Sequence, residues 1–165
     1  MNALAEILET IAHAPIEKRA ITNHNVLNEA YCYGKPSSFS RGMRIDIGEV
    51  TILLISGTAS IDENGQSVHI GDFRAQMRRT LANITGLLAS EGCTWHDIVR
   101  TTCYLRDIER DYEAFNEERT AFFKEQGLDP LPASTGIQAI LCRPELLIEI
   151  EAIAMFRNKR DSGKE

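Results

Sequence analysis

The chain has 165 residues, 43% of them hydrophobic and 25% charged, with a formal net charge of −6. That length favours a single domain able to bury a core, and the mix is that of globular rather than disordered material. An acidic chain lacks the basic surface that gives non-specific affinity for nucleic acid, so DNA or RNA is not the expected ligand. No run approaches the roughly 18 apolar residues of a membrane span.

The opening MNALAEILET carries two glutamates and no basic segment. It is unlike a secretory leader, so a cytoplasmic location is expected. Cys32, Cys93, Cys103 and Cys142 lie far apart without a CxxC pair, which predicts free thiols rather than a zinc site or a disulfide framework.

In chain order, Leu4, Ile7, Leu8 and Ile11 recur at three and four and predict a short amphipathic helix. Residues 31–42, YCYGKPSSFSRG, predict an irregular loop that ends on Phe39 and Arg41. Two β-rich runs follow at 43–47 and 50–56, and Gly48-Glu49 between them predicts a tight hairpin. Asn64-Gly65 marks another turn. From Asp72 onward Phe73, Met77, Leu81, Ile84 and Leu88 predict a helix that Gly92 can end.

Residues 98–105 form the next predicted strand. Tyr112, Phe115, Arg119, Phe122 and Phe123 then mark a second helix running to Gly127. After a loop over 127–135, two apolar runs at 136–141 and 146–155 flank Cys142-Arg143-Pro144-Glu145. The expected layout is an N-terminal extension over 1–37, a domain over 38–157 and a polar tail over 158–165.

Two helices and about five strands predict an α+β fold, a mixed β-sheet with two helices on one face. Strands as apolar as VTILLIS also need cover on the far face, which self-association can supply.

Glu149 and Glu151 alternate with Ile148 and Ile150, so in a strand both carboxylates share one face, about 6.6 Å apart. Two such acids raise each other's pKa or need a cation, which suits acid/base chemistry; a solvated or salt-bridged strand face has the same spacing. Arg41 and Arg143 sit at element boundaries from which a planar guanidinium can meet a carboxylate, and ordinary surface charge is the alternative. The four histidines show neither HxH nor HExxH spacing, so no metal site is expected. No phosphate loop or dinucleotide fingerprint occurs, and no cofactor is expected.

Ser56-Gly57, the Gln76 to Asn83 helix, DIVRTTCYLRD (97–107), FNEERTAFF (115–123), Pro132-Ala133 and IEIEAIA (148–154) together resemble the Rid/YjgF family, whose older label is L-PSP endoribonuclease. The resemblance covers roughly residues 38–157. It implies a chorismate-mutase-like (YjgF) fold, a homotrimer and clefts between neighbours that hold a small carboxylated metabolite.

In the deaminase branch, which hydrolyses enamines and imines derived from amino acids, an arginine after Pro-Ala grips the substrate carboxylate. Here that loop reads Ser134, Thr135 and Gly136, so Ser134 stands in place of the arginine and Gly136 in place of a frequent cysteine. Glu149 matches the glutamate that positions water, Asn116 and Gly57 fall on family positions, and Phe39 replaces a tyrosine.

FSRG (39–42), SGTASI (56–61), His69 with Gly71-Asp72, and CRPELLIEIE (142–151) are similar to the catalytic domain of chorismatases, which hydrolyse an enol ether. There the glutamate at the Glu149 position is the acid, and the residue at the Cys142 position influences the product. The resemblance therefore implies a hydrolase of the enol-ether type with Glu149 as catalytic acid and Arg41 or Arg143 on the carboxylate. An imine deaminase or a non-catalytic binding module are the alternatives. The acidic charge and the lack of a histidine pair count against a ribonuclease.

Overall fold

The structure is a computed structural model that describes residues 16–34 and 36–157. The helix expected over 4–11 and the tail over 158–165 lie outside these residues. Eight main elements follow in order: β1 (Glu17–Ala20), β2 (Gly42–Ile47), β3 (Val50–Ala59), α1 (Phe73–Ser90), β4 (Ile98–Leu105), α2 (Ile108–Glu125), β5 (Ala133–Gln138) and β6 (Ile148–Arg157). The strands make one sheet in the order β1-β2-β3-β6-β4-β5. Only β4 and β5 run parallel, and α2 is the crossover that a parallel pair requires.

The hairpin between β2 and β3 closes as its sequence predicts. Ile47 pairs with Val50, and Gly48 takes the positive φ of +59° that such a two-residue turn demands. Each helix begins on an aspartate whose carboxylate accepts from the backbone three residues on: Asp72 from Ala75 N–H at 3.0 Å and Asp107 from Arg110 N–H at 3.0 Å.

Both helices lie on one sheet face. Met77, Leu81, Ile84 and Leu88 of α1 pack on the inward residues of β3 and β6, among them Leu53, Ile55, Ile148 and Ile150. Trp95 anchors α2 through an edge-on contact with Phe122 at 5.0 Å, and its indole N–H donates to Thr85 Oγ1 at 2.8 Å. Glu118 of α2 accepts from Arg78 and Arg74 of α1 at 2.6 and 3.1 Å. The two guanidiniums outweigh the cost of its burial and hold its carboxyl below the usual range.

Two elements differ from the sequence expectation. Residues 17–20 belong to the sheet, where β1 pairs antiparallel with β2, although the sequence assigned them to the extension. The charged EKRA has no apolar alternation because all four residues are exposed on an edge. The fifth strand occupies 133–138 rather than 136–141. Ala133 to Gln138 lie in register with Arg100 to Leu105, and all six are exposed, so the apolar run Ala139 to Leu141 was a poor guide to where pairing starts.

The helix-free face keeps an apolar stripe. Met43, Leu54 and Ile153 are cross-strand partners in one rung, and Ile45, Ile52 and Met155 in the next.

Candidate functional site

At Ser56-Gly57 the pairing of β3 with β6 slips between Ile55 and Thr58, forming a bulge. Ser56 stitches the bulge to the preceding loop: its N–H donates to Arg41 O at 3.1 Å and its hydroxyl to Ser40 O at 2.8 Å. Gly57 lies against the Glu149 carboxyl. A Cβ there would sit 2.9 Å from Glu149 Cδ and collide with Oε1.

These residues form one wall of a cleft of about 880 Å³, which also meets Phe39, Arg41, Cys142 and Arg143. Six of the expected site residues, Phe39, Arg41, Gly57, Cys142, Arg143 and Glu149, therefore line one cleft of the chain.

Glu149 makes no hydrogen bond to the described residues. Burial first, and the neighbouring Glu151 second, push its carboxyl above the ordinary value. Tyr104 lies opposite Glu149 in the β4–β6 register, and burial first, then the Glu151 and Glu149 carboxyls, push its hydroxyl above the ordinary value.

Two guanidiniums flank the Tyr33 ring, that of Arg41 at 5.0 Å and that of Arg143 at 5.2 Å from its centroid. Arg41 is 4% exposed. It donates through Nε and Nη2 to Asn28 O at 2.9 and 2.5 Å, and through Nη2 to the Tyr33 hydroxyl. Burial lowers its pKa; Glu29 opposes this and Arg143 adds to it. Arg143 Nη1 donates to Gly65 O at 2.9 Å and Ser67 Oγ at 3.1 Å.

The connection carrying Cys142 and Arg143 is clamped from behind. The fully buried Gln76 donates to Glu145 O at 2.9 Å and accepts from Leu147 N–H at 2.8 Å. Arg106 donates to Leu146 O at 2.6 Å and Arg143 O at 2.7 Å.

The remaining expected residues, Asn116, Ser134, Thr135 and Gly136, lie outside this cleft, on α2 and the exposed strand β5. Arg119 gathers two of them, donating to Asn116 Oδ1 at 2.6 Å and Ser134 Oγ at 3.1 Å. Thr101 donates to Ser134 Oγ at 3.1 Å, and Arg100 to Thr135 Oγ1 at 3.1 Å.

The sequence reading missed Tyr33 and gave Arg119 to the apolar stripe of the second helix. Tyr33 stands in the loop 31–42 just before Gly34, but nothing local said that two arginines would meet its ring.

Comparisons agree with this architecture. The model of the family Endoribonuclease L-PSP matches residues 36–156. The 3-aminoacrylate deaminase RutC of Acinetobacter baylyi is 36% identical over 103 residues, 62% of this chain and 78% of that protein. A RutC family protein of Pyrococcus horikoshii is 33% identical over 102 residues, 62% of this chain and 77% of that protein. The solved structure of the YjgF gene product of Escherichia coli superposes with a TM-score of 0.67 at 28% identity, covering 84% of this chain and 99% of that one. The matched domain spans β2 to β6, with the bulge, the cleft and the acidic strand all inside it, and the chain belongs to the Rid/YjgF family, the family of Endoribonuclease L-PSP.

Proposed function

We propose that the protein hydrolyses a small carboxylated enamine or imine, with Glu149 as the acid. The observation that carries this reading is a half-buried carboxyl held above its ordinary pKa, with no partner among the described residues, in a cleft lined by two arginines. Kinship with a 3-aminoacrylate deaminase supports the reaction class.

The neutral Glu149 carboxyl gives its proton to the substrate, and the resulting iminium carbon takes up water. The carboxylate recovers a proton from that water, the remaining hydroxyl proton passes to nitrogen as the carbon–nitrogen bond breaks and the carbonyl forms, and ammonia leaves a keto acid behind. A positioned carboxyl of this kind contributes roughly 10²–10⁴-fold. Arg41 or Arg143 meets the substrate carboxylate.

The second cluster, Ser134 to Gly136 on the exposed edge strand β5 with Asn116 of α2 beside it, is apart from the cleft. In our reading a neighbouring subunit brings that edge to the cleft, so the working site is shared within a homotrimer.

Ammonia release from freshly generated 2-iminobutanoate above the uncatalysed rate is expected. It should be lost in Glu149→Gln and in Gly57→Ala, whose methyl displaces the carboxyl. Full activity in Glu149→Gln rejects the mechanism.

A second reading, enol-ether hydrolysis, draws on the placing of Cys142, Arg143 and Glu149 around one cleft. The same acid would then protonate a vinyl carbon, and chorismate offered to the protein would release pyruvate.

A further inference from the structure

Most charged arginines of this fold are committed to carboxylates. Arg19 and Arg44 meet Glu91, Arg78 meets Glu118 and Arg110 meets Asp111, at 2.6 to 3.2 Å. Arg119 is among those that are not. Among the described residues it lies within salt-bridge distance of no acid, and its hydrogen bonds go to two neutral oxygens, Asn116 Oδ1 and Ser134 Oγ.

Its guanidinium carbon also stands 4.5 Å over the ring centroid of Phe115, a side chain only 1% exposed. A ring beneath and two acceptors at its rim fix the plane of the fork without neutralising it. Two of its five N–H donors are spent, and those left are oriented in advance, which lowers the entropy lost on gripping an anion.

The surroundings suit an oxyanion. Ser134 is further joined to Thr101, and both belong to strands at the sheet's end, where β5 has a neighbour on one side only. An edge strand turns unpaired backbone N–H groups outward.

We propose that Arg119, seated on Asn116, Phe115 and Ser134, is an anion-binding residue that takes a carboxylate at the β5 edge. Resting on the reading that this edge faces a neighbour's cleft, it specifies the substrate class. One carboxylate is met by Arg41 or Arg143 inside the cleft, and a second by Arg119 of the adjoining subunit, so the preferred ligand is a dicarboxylate. A single-carboxylate ligand leaves Arg119 unoccupied and binds more weakly.

The test is isothermal titration of the full chain with 2-oxobutanoate and, separately, 2-oxoglutarate, alongside light scattering. The parent should bind the dicarboxylate at least tenfold more tightly, and Arg119→Gln should bring the two ligands level while Arg143→Ala weakens both. Should Arg119→Gln fail to fold, Arg119→Met, which keeps the stem over Phe115, is read in the same way. A trimeric parent with no preference, or a preference that survives loss of the Arg119 charge, overturns the inference and leaves the shared cleft standing. A parent that is monomeric or binds neither ligand overturns the shared-cleft reading itself.

Discussion

Glu149 shows how one position can be legible in sequence while its chemistry is not. Alternation with Ile148 and Ile150 places it on the helix-free face, but the spacing is equally that of a solvated strand. What decides is the bulge at Gly57, which brings bare backbone against the carboxyl and shields it. Burial and Glu151 raise its pKa, so folding shifts the balance towards the neutral acid relative to the unfolded chain. The stability this contributes is complete below the unfolded carboxyl value and is lost as pH rises through the folded one. Glu149→Gln, neutral at every pH, escapes that loss. Calorimetry from pH 4 to 9 should show the variant's Tm drawing above the parent's as pH rises, with the gap closing towards pH 4. Parallel curves would mean that Glu149 is an ordinary solvated carboxylate. Tyr33 and Arg119 were hard to read for a different reason: beside near neighbours such as Arg41 or Asn116, each meets one residue that only the fold brings near, Arg143 for the one and Ser134 for the other.

At the scale of elements, the periodic ones were readable. The steps from Phe73 to Leu88 gave α1 because a helix burying one stripe needs that spacing, and Gly48-Glu49 gave the first hairpin. The edge strands β1 and β5 were not readable where they lie, since an edge buries too little to impose alternation. The connection from β5 to β6 has no regular structure, yet it sets Cys142 and Arg143 on the cleft, and Gln76 and Arg106 together hold it. The Gln76 amide satisfies one backbone acceptor and one donor across the gap between α1 and this connection. Gln76→Leu fills similar space but strands both groups, at a cost of about 1–3 kcal/mol for each left unsatisfied. Denaturant unfolding should register a loss in that range. Ligand affinity should fall by more than the surviving folded fraction explains, since Arg143 then loses its fixed place. Unaltered stability would show that water replaces the amide.

For the whole molecule, the open sheet face is the surface on which the proposed assembly rests. Met43, Leu54 and Ile153, and beside them Ile45, Ile52 and Met155, make two apolar rungs on the side no helix covers. Leu54 and Met155 remain 41% and 44% exposed in one subunit. Contiguous apolar surface of this kind marks an interface, and a closed symmetric assembly buries it once per subunit. The same association would carry each β5 edge towards a neighbour, coupling oligomer to site. Light scattering of the parent at micromolar concentration should therefore return about three times the 18.5 kDa of the chain. Leu54→Arg places a charge at the centre of one rung, where burying it unpaired would cost several kcal/mol. Because Leu54 faces away from the helices, the subunit's own core is untouched. The variant should run as a monomer with native circular dichroism and lose ligand binding, although its own Glu149, Arg41 and Arg143 are intact. A Leu54→Arg monomer that still binds as the parent does would place the whole site within one subunit, and a monomeric parent would leave the apolar face without the partner proposed for it.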